Sequence, residues 1–125
     1  MKIYIIQPMS DRTKEQILQD RELGKKVAQV YYPKAEFLNN YFDDYDENVS
    51  PLVYLSRCCD LMAQADLVIM LPFYFGAQGC DLENHIAQVY HKPRMIINFA
   101  IDEQGNYTDV KQLNDGEEAV FSVPQ

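Results

Sequence analysis

Positive charge is scarce in this chain. Eleven Lys and Arg stand against nineteen Asp and Glu over 125 residues, a formal net charge of −8. Nucleic-acid binding rests on Lys and Arg contacts to phosphates, so no nucleic-acid partner is expected. A small anionic ligand stays open, because the free N–H groups of one helix start can hold an anion against a distant net charge. The plain reading of the acidity is solubility.

Soft metal ligands are equally few. Three cysteines, Cys58, Cys59 and Cys80, show no C-x-x-C spacing, and only His85 and His91 accompany them. No metal and no cofactor are therefore expected, and Cys58 and Cys80 read as small buried hydrophobes. No apolar run approaches the roughly 20 residues of a membrane span, so no membrane partner is expected. The chain opens directly on a strand-like segment, Lys2-Ile-Tyr-Ile-Ile6. No leader peptide is expected from that opening, and the expected location is cytoplasmic. Internal repeats and low-complexity segments are absent as well.

What is present fits one domain over residues 1–125, with 47% hydrophobic residues and a less regular tail over 100–125. Residues 2–6 read as a buried strand. Ser10 or Asp11 is a candidate cap for a helix reaching about Tyr32, with Ile17, Gly24, Ala28 and Tyr31 on one face. Pro33 closes that helix, and residues 35–38 form a short second strand. Residues 39–50 make an acidic, aromatic loop, read as a surface segment or, alternatively, as a lid. Ser50-Pro51 is a helix start, and Leu55, Cys58, Met62 and Ala65 follow as an apolar stripe. Strands are expected over residues 66–71 and 94–99, with a helix over 79–90 between them. Residues 119–123 read as a fifth strand or as an arm on a neighbouring subunit. Strands alternating with helices predict an α/β fold: a flavodoxin-like (Rossmann-like) open sheet of four to five mostly parallel strands, helices on both faces.

The segment Asp66-Leu-Val-Ile-Met-Leu-Pro72, followed by Gly76-Ala-Gln-Gly-Cys-Asp-Leu-Glu83, carries the most information. A strand ends in a glycine-containing loop that opens into a helix, the setting in which α/β sheets bind ligands. Glu83 then lies in the first turns of that helix. Cys80, Glu83, Ala87 and Tyr90 share one line at spacings of three and four. A carboxylate on a partly apolar face needs a reason, because burying an unpaired charge is costly. It is either a nucleophile or general base, or a capping glutamate. In the loop after the first strand, Ser10, Arg12 and free N–H groups either hold a phosphate or simply cap the helix. Tyr4 points to the core or to the crevice. Asp66 sits at the amino end of its strand and reads as structural, and Asp60 as solvated.

Three of these stretches resemble the nucleoside 2-deoxyribosyltransferase-like superfamily: Lys2-Ile-Tyr-Ile with Pro8-Met-Ser10; Leu61-Met-Ala-Gln-Ala-Asp-Leu-Val68; and Gly79-Cys-Asp-Leu-Glu-Asn-His-Ile-Ala87. The likeness spans roughly residues 1–99 and is nearest to a branch of small bacterial and phage proteins. The resemblance implies about five parallel strands and cleavage of the N-glycosidic bond of a deoxynucleoside or its 5′-monophosphate. It makes Glu83 the nucleophile at C1′ and Tyr4 the residue that orients it, the two candidate catalytic residues. It places Ser10 and Arg12 in the loop that holds the 5′ end of monophosphate substrates, so that Pro8, Met9, Ser10 and Arg12, with Gly76 and Gly79 of the glycine-containing loop, are the candidate substrate-binding residues, and it implies a homo-oligomer. The chain departs from the pattern twice. Cys58 stands where many members carry an aspartate on the second helix, and Ala77 where some carry a sugar-binding aspartate. Two alternatives to a glycosidase follow: a nucleotide-binding module of the same fold without turnover, and an interaction protein with a vestigial crevice.

Overall fold

After Lys2, the run Ile-Tyr-Ile-Ile is apolar at consecutive positions, as a strand covered on both faces must be. In the computed structural model, which describes residues 1–9, 12–71, 78–101 and 107–113, it forms β1 (Lys2–Ile6). α1 (Lys14–Tyr31), β2 (Glu36–Phe37), α2 (Pro51–Gln64), β3 (Leu67–Met70), α3 (Gln78–Val89), β4 (Arg94–Ile101) and β5 (Tyr107–Leu113) follow.

The five strands make one sheet in the order β2-β1-β3-β4-β5. The first four are parallel, with Ile3 opposite Leu67 and Val68 opposite Arg94. This is the flavodoxin-like order, and the chain reverses its direction of travel across the sheet between β1 and β3. The fifth strand corrects the expectation of about five parallel strands, and its place in the chain was unforeseen. It runs antiparallel to β4, with Ile97 opposite Val110, and it is built from residues 107–113. The segment 119–123 and the proposed arm lie outside the described residues.

Alternation along the strands sorts the core into two layers. Tyr4, Ile6, Val68 and Met70 face α2 and α3 and pack with Met62, Cys80 and Ala87. Ile3, Ile5, Leu67 and Ile69 face the other way and pack with Ala28, Met95 and Ile97. Helices therefore cover both faces, α1 on one and α2 with α3 on the other.

Local chemistry sets the element ends. Thr13, rather than Ser10 or Asp11, caps α1: its side chain accepts from the Gln16 N–H at 3.1 Å, and Gln16 accepts from the Thr13 N–H at 3.0 Å. Reciprocal bonds of this kind satisfy two orphan donors at once, and Thr13-Lys-Glu-Gln16 carried that signal in the sequence. The buried line of α1 is Ile17, Arg21, Gly24 and Ala28. Tyr31, expected on that line, is the last residue of α1 and is 55% exposed, while Val27 and Tyr32 pack partly buried against the layer. Ser50 caps α2 with Pro51 at its first position, as expected. At the other end of α2, Lys92 donates to the carbonyls of Ala63 at 3.3 Å and Ala65 at 2.9 Å. α3 closes on His91 in the left-handed region, φ 56°, with Lys92 N–H donating to Ala87 O and His91 N–H to Gln88 O.

Gly24 marks the closest approach of α1 to the sheet. A Cβ at this position falls 2.5 Å from Cδ2 of Leu71, which is itself buried at the end of β3. Valine here forces Leu71 aside inside a packed layer, so Gly24→Val is expected to lose about 1–3 kcal/mol of stability, read by urea unfolding. Unchanged stability would mean that α1 shifts freely on the sheet.

Candidate active site

Tyr4 lies on the β1 face that meets α2 and α3, and both helices contact β1. The apolar line of α3, Cys80 and Ala87, is buried against the same layer, and Glu83 lies between them in the second turn. That spacing aims the carboxylate inward. Tyr4 O–H donates to Glu83 Oε1 at 2.5 Å across 79 residues of chain. Tyr4 is fully buried and Glu83 half-buried, so the pair lies between the sheet and the helix layer. Tyr90, the last member of the expected line, is exposed because α3 has ended one residue before it.

Cys58 completes the group from the α2 side. It packs against the Tyr4 layer, and its thiol interacts with both the Tyr4 hydroxyl and the Glu83 carboxylate. The sequence reading as a buried hydrophobe holds for Cys80; Cys58 is only partly buried, because its thiol meets the polar pair. The missed signal was spacing: Cys58, Met62 and Ala65 form the inward stripe of α2, and Tyr4 occupies the matching face of β1.

Burial dominates the electrostatics. It raises the Glu83 carboxyl above the ordinary glutamate range, with donation from Tyr4 and Cys58 opposing it. Burial, then the Glu83 charge, pushes the Tyr4 phenol far up. Burial pushes the Cys58 thiol up to about 11 and the Cys80 thiol up to about 12. The raised carboxyl makes a stability statement. Its contribution is complete below the unfolded glutamate pKa of about 4.3 and is lost as pH rises through the folded value. Glu83→Gln keeps the volume and an acceptor for Tyr4 but cannot ionise. The variant is therefore expected to melt with wild type near pH 4 and above it near pH 7, by calorimetry at each pH. A constant difference across that range would show that Glu83 ionises in the fold as it does in the unfolded chain.

The remaining candidate residues are spread around this pair. Pro8 is half-buried and Met9 36% exposed, just beyond the carboxyl end of β1. The Arg12 N–H donates to Met9 O, and its guanidinium is ion-paired with Asp20. Its Nε is buried and has no partner among the described residues. Gly79, at the start of α3, is exposed, and a Cβ there meets nothing within 4 Å among the described residues. Ser10, Gly76 and Ala77 lie outside the described residues. Asp66 is structural, as expected: it accepts from the Lys2 N–H at 2.7 Å at the amino edge of the sheet. Asp60 is exposed. The acidic loop is tied to α2: Arg57 stacks 4.0 Å over Phe42 and pairs with Asp44, and the Asp46 N–H donates to the Tyr54 hydroxyl oxygen at 2.7 Å.

A second polar network, unforeseen from the sequence, braces the carboxyl ends of β1 and β2. Arg21 is 4% exposed and donates to Gln7 Oε1 at 3.2 Å and to Leu38 O at 2.8 Å. Gln7 in turn donates to Ile17 O at 2.9 Å, and Asn40 donates to Ile5 O at 2.7 Å. The signal was a charge placed on the apolar line of α1, between Ile17 and Gly24.

Among the described residues, no three His, Cys, Asp or Glu side chains gather as a metal site, and no helix is long and apolar enough to cross a membrane. Comparisons of the chain with protein-family models, with curated proteins and with solved structures give no match.

Proposed function

We propose that this protein cleaves the N-glycosidic bond of a nucleoside or nucleotide, as a deoxyribosyltransferase or N-glycosidase, with Glu83 as the nucleophile. The observation that carries this reading is the Tyr4–Glu83 bond of 2.5 Å, part-buried on β1, one of the two strands at which the order of the flavodoxin-like sheet reverses. Tyr4 fixes one carboxylate oxygen and leaves the other to attack C1′. The developing sugar cation meets a carboxylate that water screens little, which strengthens their attraction. The C1′–N bond breaks as the glycosyl ester forms, and water or a second base then releases the sugar from Glu83. The likeness of residues 2–10, 61–68 and 79–87 to deoxyribosyltransferase-like proteins points the same way.

A second reading, nucleotide binding without turnover, is favoured by one feature. The α2 position that faces Glu83 holds the thiol of Cys58, a far weaker acid than a carboxyl. The two readings separate in one assay: base release from the four deoxynucleosides and their 5′-monophosphates, by chromatography. Base released by wild type and lost in Glu83→Ala supports the enzyme. Thermal stabilisation by a nucleotide with no release supports the binding module.

We also propose a homo-oligomer. Leu52 at 71% and Val53 at 49% exposure at the start of α2, and Val89 at 52% at the end of α3, leave apolar side chains exposed on the helix layer. A monomer by light scattering overturns this.

A further inference from the structure

The groups that face Glu83 narrow the kind of bond it can break. A phenol from β1 and a thiol from α2 meet the carboxylate, and the Cys80 thiol lies near it on α3. All three are neutral, weak acids. The other charged groups described near these elements are engaged or turned to solvent. Asp60 and Asp81 are exposed, Arg12 is paired with Asp20, and Arg94 donates to Asn84 at 2.9 Å.

Breaking an N-glycosidic bond leaves the electron pair on nitrogen. In a neutral nucleoside that pair makes an anionic base unless a proton arrives, and a positioned general acid is worth about 10²–10⁴-fold in rate. In an N-glycosylpyridinium the nitrogen is already cationic. The departing pair neutralises it, and no proton is needed. The cationic ring also suits the site. Opposite charge beside a half-buried carboxyl favours its ionised, nucleophilic form. A chain of net charge −8 attracts cations.

Resting on the reading of Glu83 as nucleophile, we infer that the site acts on N-glycosides whose leaving nitrogen carries positive charge, such as an N-ribosylpyridinium. The step balances without an added acid. A lone pair of Glu83 forms the O–C1′ bond, the C1′–N bond breaks, and its pair stays on the ring as a neutral pyridine leaves. Water then attacks C1′, the ester opens to restore the Glu83 carboxylate, and one proton passes to solvent.

The test uses nicotinamide riboside and its 5′-phosphate as probes. Deoxyadenosine, thymidine and their 5′-monophosphates are run beside them, with wild type and Glu83→Gln. Base release is followed by chromatography, with spontaneous hydrolysis subtracted. The expected kcat/KM for nicotinamide release is at least about 100-fold above that for any neutral base, and it is lost in Glu83→Gln. Across ribosylpyridiniums of differing ring basicity, the rate falls steeply as the leaving pyridine becomes more basic. Neutral bases released as fast as nicotinamide, and dependent on Glu83, overturn this inference while leaving the glycosidase reading intact. Release from no substrate, or nicotinamide release unchanged in Glu83→Gln, overturns both.

Discussion

Base release falls at least about 10³-fold when Glu83 is replaced by alanine, and equally when it is replaced by glutamine. A loss of that size corresponds to about 4 kcal/mol of transition-state stabilisation, what a covalent nucleophile contributes when nothing replaces it. Glutamine is the more telling variant, because it preserves shape and an acceptor for Tyr4 while removing the nucleophilic oxygen. Tyr4→Phe is expected to act differently. The phenol donates to Glu83 Oε1 and holds the carboxylate in one orientation, and its donation works against the upward push of burial on the Glu83 carboxyl. Without it the rate falls roughly tenfold, and the rising limb of the pH profile moves to higher pH, because more base is needed to ionise Glu83. Only the ionised carboxylate attacks, so wild-type activity rises with pH above the ordinary glutamate range near about 4.3. A pH profile unchanged by Tyr4→Phe would assign Tyr4 to packing alone.

Arg21→Ala is expected to be the most damaging change to stability. Its guanidinium satisfies Gln7 Oε1 and Leu38 O inside the fold, and Gln7 passes the tie on to Ile17 O. Burial works against the Arg21 charge, and among the described residues no carboxylate hydrogen-bonds it. Removing the side chain relieves that desolvation but leaves two buried acceptors empty, at about 1–3 kcal/mol each, and opens a void. The net expectation is a loss of about 3 kcal/mol and a fall in Tm on the order of 10 °C by circular dichroism. Arg21→Met fills the volume and leaves the acceptors empty, so it recovers only part of the loss. If Arg21→Met melts at or above wild type, desolvation outweighs the clamp, and the network does not brace the strand ends.

Much of the fold was legible because its signals are local. The uninterrupted apolar runs at residues 3–6 and 67–70 mark strands buried on both faces, and Ser50-Pro51 marks a helix start. The misreadings have physical causes too. The start of α1 was placed at Ser10 or Asp11 because both are good caps. Thr13 prevails because Gln16 returns its bond. β5 was missed because Tyr-Thr-Asp-Val-Lys-Gln-Leu carries charge and little apolar alternation, and pairing with β4 defines it. In the site, Glu83 was legible from its place on an inward helix line. Its bond to Tyr4 joins residues 79 apart and depends on how α3 docks on β1. The same holds for Cys58, whose contact with the pair requires α2 and α3 to share one face of the sheet.

The most direct test of the account is whether Glu83 becomes covalently glycosylated. A substrate whose sugar carries fluorine at C2 destabilises the cationic transition states and lets the glycosyl ester accumulate. Intact-protein mass spectrometry after quenching, followed by peptide mapping, reads the outcome. The account predicts a mass increase of one sugar on the peptide that contains Glu83, absent in Glu83→Gln. Base release without any adduct, or an adduct on another residue, would contradict it.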